Sequence, residues 1–537
     1  MPAARDDEPA LVLYDTTLRD GAQRRDLCFS LEDKLKITRL LDRFGVHYVE
    51  GGWPGSNPKD AEYFRRVREL ELLQTRVAAF GSTRRVGIHV EEDRQIQALL
   101  EAQTPVVTLV GKTWDLHVTE ILRTDKTENL KLIAESVAYL KAHGREVVFD
   151  AEHFFDGFRA EPAYALECLM AASEAGADWL VLCDTNGGSL PEHVAATVRR
   201  VGERVRSRLG VHTHNDAELA VANALAAVGA GARQVQGTIN GYGERCGNAN
   251  LISIIPTAQL KLGMRCVPDE SMRQLTQLAE AVAEIANLNP DAFAPYVGSA
   301  AFAHKGGIHV AAVERLAESY EHICPELIGN RRTVVMSELA GRGNVRLRAQ
   351  ALGLSLDDQE ASVLAEVKQR EAEGLQLDSA DGTFELLVRR AAKTYHAPFE
   401  VVDLVVQSQR RAGLDQVAQA TIKIRIGHEQ VLTVAEAGGP VDAIDKAARK
   451  ALLPFYPELK DVHLTDYKVR ILDPSAATSA TTRVWIEAAH GEQRWCTVGC
   501  SENIIEASGL ALMDSLELFL LRNETISKGV NHGYHAA

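Results

Sequence analysis

The sequence predicts an α/β protein: a (β/α)8 barrel, then a helical subdomain, then a C-terminal α+β domain of regulatory character. Three observations carry that reading. Short β-rich runs alternate with longer helical patterns eight times in the first 260 residues, the rhythm of a barrel or of a doubly wound sheet. Five of the eight β-rich runs end on Asp, Glu, His or Thr, and a barrel gathers those ends at one mouth. Beyond about residue 380 the alternation gives way to short strands and two helical patterns.

In chain order the candidate strands are LVLYD (11–15), YVEGG (48–52), VAAFG (77–81), VVTLVG (106–111), VVFDAE (147–152), WLVLCDT (179–185), GVHTH (210–214) and QVQGT (234–238). Helical stretches lie between them, such as LEDKLKITRLLDRFG (31–45), PAYALECLMAASEAGA (162–177) and AELAVANALAAVGAGA (217–232). The barrel is expected over 1–262. A mainly helical subdomain and linker that complete the active site are expected over 263–380, with a loop-rich insertion at 294–310 and the linker around 376–383. The remainder, 381–537, carries a weak internal duplication. Residues 421–452 and 482–520 both read strand, turn, strand, small residues, helix. A duplicated small α+β unit is more typical of a regulatory or dimerising module than of a catalytic one.

A chain of 537 residues is too long for one hydrophobic core, so two or three domains are expected. The formal net charge of −15 disfavours binding to nucleic acid or to an anionic membrane. No window of about 18 apolar residues reads as a membrane span, and the polar start MPAARDDEPA lacks the apolar core of a signal peptide. The cysteines are scattered with no C-x-x-C pair, which reads as free thiols in a reducing cytoplasm.

His212 and His214 stand two apart in a predicted strand, so their side chains share a face and could bind one cation. The alternative is a pair of hydrogen-bonded core histidines. Asp20, after the first strand, could meet them at the mouth. Two nitrogens, a carboxylate oxygen and open positions suit a divalent cation acting as a Lewis acid. Arg19, beside Asp20, reads either as a surface ion pair or as a fixed cation aimed at an oxyanion. Glu50 and Glu152 end strands two and five, where each could be a base or could hold a neighbour. Thr185 offers a hydroxyl at the end of strand six. The glycines of NGYGERCGNANL (240–251) permit close approach of backbone to a ligand, and Asn248 is a plausible fourth oxygen ligand. In HKGGIH (304–309), the Lys–Gly–Gly beside His304 fits a loop that closes on a ligand.

DTTLRDGAQ (15–23), GVHTHND, NGYGERCGNANL and HKGGIH, in that order, resemble the family of 2-isopropylmalate, homocitrate and citramalate synthases, among the metal-dependent DRE-type TIM barrels. The likeness covers about the first 345 residues, and the C-terminal part resembles the family's allosteric domain, including AEAGGPVDAIDKA (435–447). The resemblance implies metal ligands at Asp20, His212 and His214, with Asn248 as a weaker fourth, for Mg2+, Mn2+ or Zn2+. It implies Arg19 as the arginine that stabilises enolate and substrate oxygens, and Thr185 as the residue that binds the 2-oxo acid carboxylate. It also implies His304 as a catalytic histidine paired with Glu152 and assisted by Tyr320, supplied in cis or by the partner of a homodimer.

GGWPGSNPKD (51–60), DAEHFFDGF (150–158) and SELAGRGNV (337–345) look most like the family's bacterial citramalate-forming branch. That branch condenses acetyl-CoA with pyruvate in isoleucine synthesis, so isoleucine is the implied feedback inhibitor, with Ala437–Gly439 and Gly499–Ser501 read as Gly-rich turns that could take its carboxylate. The 2-isopropylmalate alternative, with 2-oxoisovalerate as acceptor, is weakened by DAEHFF in place of a Ser-rich run. An acyl-CoA lyase of the same superfamily would lack the C-terminal module. A biotin-dependent carboxyltransferase would need a carboxyl-carrying lysine motif that no segment shows, and a non-catalytic barrel would not keep every residue the chemistry needs.

Overall fold

The computed structural model describes residues 10–337, 339–356, 358–378, 380–410 and 417–532, with side chains of the last helix described as far as Asn523. The chain forms two compact units. One comprises 1–302 and 323–331, the other 303–322 and 332–537.

The first unit is the predicted barrel. Strands β1 (Val12–Asp15), β2 (Tyr48–Gly52), β3 (Arg76–Ser82), β4 (Val106–Lys112), β5 (Glu146–Glu152), β6 (Trp179–Asp184), β7 (Arg208–Thr213) and β8 (Gln234–Gly237) close in sequence order, with β1 parallel to β8. Strands covered on both faces read as near-continuous apolar runs, and β6 is buried along its whole length. Tyr14, Tyr48, Ala78, Val106, Val148, Trp179, Val181 and Cys183 pack inside the barrel. The opposite strand faces, with Leu13, Val49, Ala79, Val107 and Leu109, join the larger cluster formed with the helices.

Local chemistry sets the helix ends. The helix Leu31–Phe44 opens on a reciprocal cap between Ser30 and Asp33 and closes on Gly45, whose φ of 100° is left-handed. It buries Leu35, Ile37, Leu41 and Phe44.

In the second unit, β9 (Ala303–His304) pairs parallel with β10 (Thr333–Val334). The antiparallel sheets that follow are β11 (Glu400–Gln409), β12 (Val417–Ile426) and β13 (Glu429–Ala437), then β14 (His463–Ile471), β15 (Thr482–His490) and β16 (Gln493–Ser501). Each is followed by a helix, Pro440–Leu452 and Ile504–His532. The internal repeat extends to atomic detail. Both first strands carry an irregularity near their start, at Val401/Asp403 and at Leu464/Asp466. Both third strands carry a buried threonine that donates to its helix, Thr433 to Ala447 O and Thr497 to Ala511 O, each at 2.7 Å.

Three local readings differ from expectation. The stretch around 376–383 ends in a helix, Asp381–Ala391, and Thr383 Oγ1 accepts from Val498 N at 2.9 Å; Ser379 lies outside the described residues. The insertion 294–310 contains β9 and the start of the helix Gly307–Arg315. Gly499–Ser501 is the end of β16, not a turn. A Cβ on Gly499 would fall 2.1 Å from Ala507 O, so glycine serves there for close strand–helix packing. Among the described residues no helix is long and apolar enough to cross a membrane, and all eight cysteines are free thiols.

Candidate active site

The loop after β1 is tied down before it presents its charged pair. The Asp15 carboxylate accepts from Thr17 N at 3.0 Å and from the Thr17 hydroxyl at 2.7 Å. The same hydroxyl accepts from Ile239 N at 2.9 Å, which joins the loop to the segment after β8. Arg19 and Asp20 then line a cavity of about 640 Å³ at the C-terminal ends of the strands, with His212, His214, Thr185, Glu152, Asp150 and Phe80 among its walls.

Asp20, His212 and His214 are all buried and offer ligand atoms within 4.8 Å of one another. Asp20 Oδ2 lies 3.4 Å from His212 Nε2 and 3.9 Å from His214 Nε2, and the two Nε2 atoms are 3.2 Å apart. The point equidistant from these three atoms lies about 2 Å from each, the bond length of a first-row dication to nitrogen or oxygen. Burial opposes ionisation of Asp20, but the Arg19 guanidinium and the two imidazoles outweigh it and hold the carboxyl well below the usual range. Burial and the neighbouring His212 push His214 down to about 3, so its ring stands neutral. Burial also opposes charge on His212, but the Asp20 carboxylate overrides this and raises it. A cation in the triangle would take the place of that shared proton.

Asn248 is bridged to His214 through the backbone. Its Nδ2 donates to Tyr242 O at 3.3 Å, while its Oδ1 is buried without a partner. Asp20 Oδ1 and His214 Nδ1 are likewise buried without partners. Buried polar atoms are normally satisfied, so unpaired oxygens at Asp20 and Asn248 beside this triangle fit a site built for a divalent cation.

Arg19 is fixed on two sides. Its Nε donates to Glu50 Oε1 at 2.5 Å, and its guanidinium carbon lies 3.8 Å from the centroid of the Phe80 ring. Glu50 is fully buried and also accepts from the Tyr14 hydroxyl at 2.8 Å. Glu50→Ala removes the acceptor of the Arg19 Nε–H and leaves the largely buried guanidinium with the Asp20 carboxylate, 3.4 Å away, as its remaining ion-pair partner. It is expected to destabilise the fold by about 3–5 kcal/mol, read by chemical or thermal unfolding; an unchanged midpoint would contradict this account of Arg19.

Thr185 accepts from His153 N at 2.9 Å, which leaves its own proton free for a ligand. Glu152 is ion-paired with Lys112, its register partner on β4. His304 and Tyr320 belong to the second unit. There His304 Nε2 lies 3.1 Å from Glu321 Oε1, and Glu321 also accepts from Arg332 Nε and Nη2, each at 2.5 Å. The Arg332 hydrogen bonds hold the Glu321 carboxyl below its ordinary value. Tyr320 packs on His309 with ring centroids 4.5 Å apart.

Sequence reasoning missed Gln236, Asp150, Phe80, Lys112 and Glu321. A signal existed for Gln236: two amides, Gln234 and Gln236, alternate in a strand where apolar residues are the rule. No comparable signal marks Glu321, which lies outside β9 and β10 and meets His304 only in the folded segment between them.

The HMGL-like family matches residues 10–286, the homocitrate synthase post-HMGL domain-like family 296–374, and the LeuA allosteric (dimerisation) domain 378–520. The chain is 49% identical to the (R)-citramalate synthase of Geobacter sulfurreducens, covering 96% of this chain and 98% of that one. It is 50% identical to the (R)-citramalate synthase of Synechocystis, over 95% of this chain and 96% of that one. A probable 2-isopropylmalate synthase of Methanopyrus kandleri is 31% identical, over 92% of this chain and 95% of that one. At 49% and 50% identity over nearly the whole of both chains, the chain belongs to the (R)-citramalate synthase family of acyltransferases.

Proposed function

We propose that this chain condenses acetyl-CoA with pyruvate and hydrolyses the resulting thioester, releasing citramalate and CoA, in the cytoplasm, as a homodimer dependent on Mg2+, Mn2+ or Zn2+. The observation that carries this reading is the Asp20–His212–His214 triangle, with a pinned Arg19 beside it in one cavity. Asp20, His212 and His214 would hold the cation, with Asn248 as a fourth ligand. When bound it supplies a Lewis acid that polarises the 2-oxo group.

Thr185 donates its free hydroxyl proton to the pyruvate carboxylate. Arg19, held by Glu50 and Phe80, offers its terminal N–H groups to oxygens on which negative charge develops. We assign His304 as the base: with Nε2–H given to Glu321, its Nδ1 lone pair is free to remove a proton from the acetyl methyl. The enolate carbon attacks the pyruvate ketone carbon, and the ketone oxygen takes up a proton to become the tertiary alcohol. Water then adds to the thioester carbonyl, the C–S bond breaks, and CoA leaves as the thiol. Glu152, ion-paired with Lys112, is proposed as the carboxylate that tunes the base in the proton transfer.

Pyruvate and 2-oxoisovalerate differ by two methyl groups, each worth about 1–3 kcal/mol of discrimination in an apolar pocket. Thiol release from acetyl-CoA with pyruvate, 2-oxobutyrate, 2-oxoisovalerate and 2-oxoglutarate is therefore expected to give pyruvate a kcat/KM at least about tenfold above the others. A preference for 2-oxoisovalerate would sink the assignment.

Isoleucine is the proposed inhibitor, acting on the duplicated module. The helix Pro440–Leu452 opens at Gly439 without a side-chain cap, and, Pro440 having no N–H, the backbone N–H groups of Val441 and Asp442 are the donors proposed for the isoleucine carboxylate. The same assay titrated with isoleucine, leucine and valine should show the strongest inhibition by isoleucine. Leucine as the stronger inhibitor, or no response, would exclude that regulation.

A further inference from the structure

His212 can act as a ligand through Nε2 only if the ring proton sits on Nδ1. Two residues outside the ligand set control where it sits. His212 Nδ1 lies 2.9 Å from Gln236 Oε1, and Gln236 Nε2 donates to Asp150 Oδ1 at 2.8 Å. Asp150, Gln236 and His212 are 3%, 0% and 4% exposed, so water does not compete for these bonds. His212 and Gln236 are register partners across β7 and β8, and Asp150 reaches the amide from β5 through the barrel interior.

The direction of the chain follows from its last member. A glutamine amide can face a neighbour with either end. The Asp150 oxygen is an acceptor, so it draws the Nε2–H2 end of Gln236 toward itself. The oxygen end is then left facing His212 and can only accept, so the imidazole must donate from Nδ1. Once the proton shared with Asp20 is displaced, it is the Nε2 lone pair that faces Asp20 and His214. Turned the other way, the amide would donate to Nδ1 and force the proton onto Nε2, where it would block a cation.

We propose that Asp150 and Gln236 are positioning residues that lock His212 in its cation-binding tautomer. This rests on the cation reading of the Asp20–His212–His214 group.

The test is Mn2+ titrated into chelator-stripped full-length protein and followed by electron paramagnetic resonance. Gln236→Leu and Asp150→Asn should each weaken Mn2+ binding about ten- to hundredfold. In Asp150→Asn the new amide can present either of its ends, so the direction of the chain is no longer set. The paired change Asp150→Asn with Gln236→Glu restores the direction, because the amide on β5 then donates and the carboxylate on β8 accepts from both sides. Its affinity should return to within about threefold of the native value, which a mere filling of space would not achieve. Native affinity in Asp150→Asn and Gln236→Leu, or a paired variant no better than Asp150→Asn, overturns the proposal. If the native protein binds Mn2+ and Asp20→Ala does not, the cation reading stands whatever those variants do. If the native protein binds none, both readings fall. Near-isosteric Asp150→Asn keeps the test valid should Gln236→Leu fail to fold.

Discussion

Asp20→Ala is expected to abolish divalent-cation binding and to lower kcat/KM for pyruvate by about a thousandfold or more. A Lewis acid supplies several kcal/mol of transition-state stabilisation, and each 1.36 kcal/mol is a factor of ten. Asp20 is the carboxylate of the Asp20–His212–His214 group. Without it, two imidazoles whose Nε2 atoms stand 3.2 Å apart must face a neighbouring arginine with no negative charge between them. The fold should persist, because the barrel core lies in the apolar layers and not at the strand ends. Isothermal titration of the stripped protein with Mn2+, alongside steady-state rates, checks both halves. A variant that binds the cation as the native protein does would remove Asp20 from the site.

His304→Ala should lower kcat by about 10²–10⁴-fold while changing KM for pyruvate little, the pattern of a group that acts in proton transfer and not in ground-state binding. Glu321→Gln should produce a smaller fall, because the amide still accepts from His304 Nε2–H but no longer stabilises the imidazolium formed when Nδ1 takes a proton. The buried carboxylate and Arg332 have the geometry to hold that ring in one orientation. Exchange of the acetyl-CoA methyl protons with deuterated solvent, in the presence of a non-reacting 2-oxo acid analogue, reports the base directly. Exchange and turnover at the native rate in His304→Ala would assign the proton transfer to another residue.

The sequence alone determined the barrel, and it did so for a physical reason. Strands covered on both faces read as near-continuous apolar runs, and their mouth-facing ends are where polar residues gather, so periodicity and end chemistry were both written in the chain. The H-x-H pair was legible on the same grounds, since a strand puts residues two apart on one face. Repeats of strand, strand and helix exposed the C-terminal duplication.

Tertiary structure decided the rest. That Asp20 lies 3.4 Å from His212 requires the barrel to close β8 onto β1, which brings the loop after β1 beside the end of β7, and no local pattern encodes that closure. The Asp150–Gln236–His212 chain bridges separations of 86 and 24 residues and is set by interior geometry. Glu321, outside both β9 and β10, meets His304 across 17 residues through the fold of the segment between them. Gly499 read as a turn residue because glycine has two uses, freedom of φ and absence of a side chain, and only the packing of β16 on its helix distinguishes them.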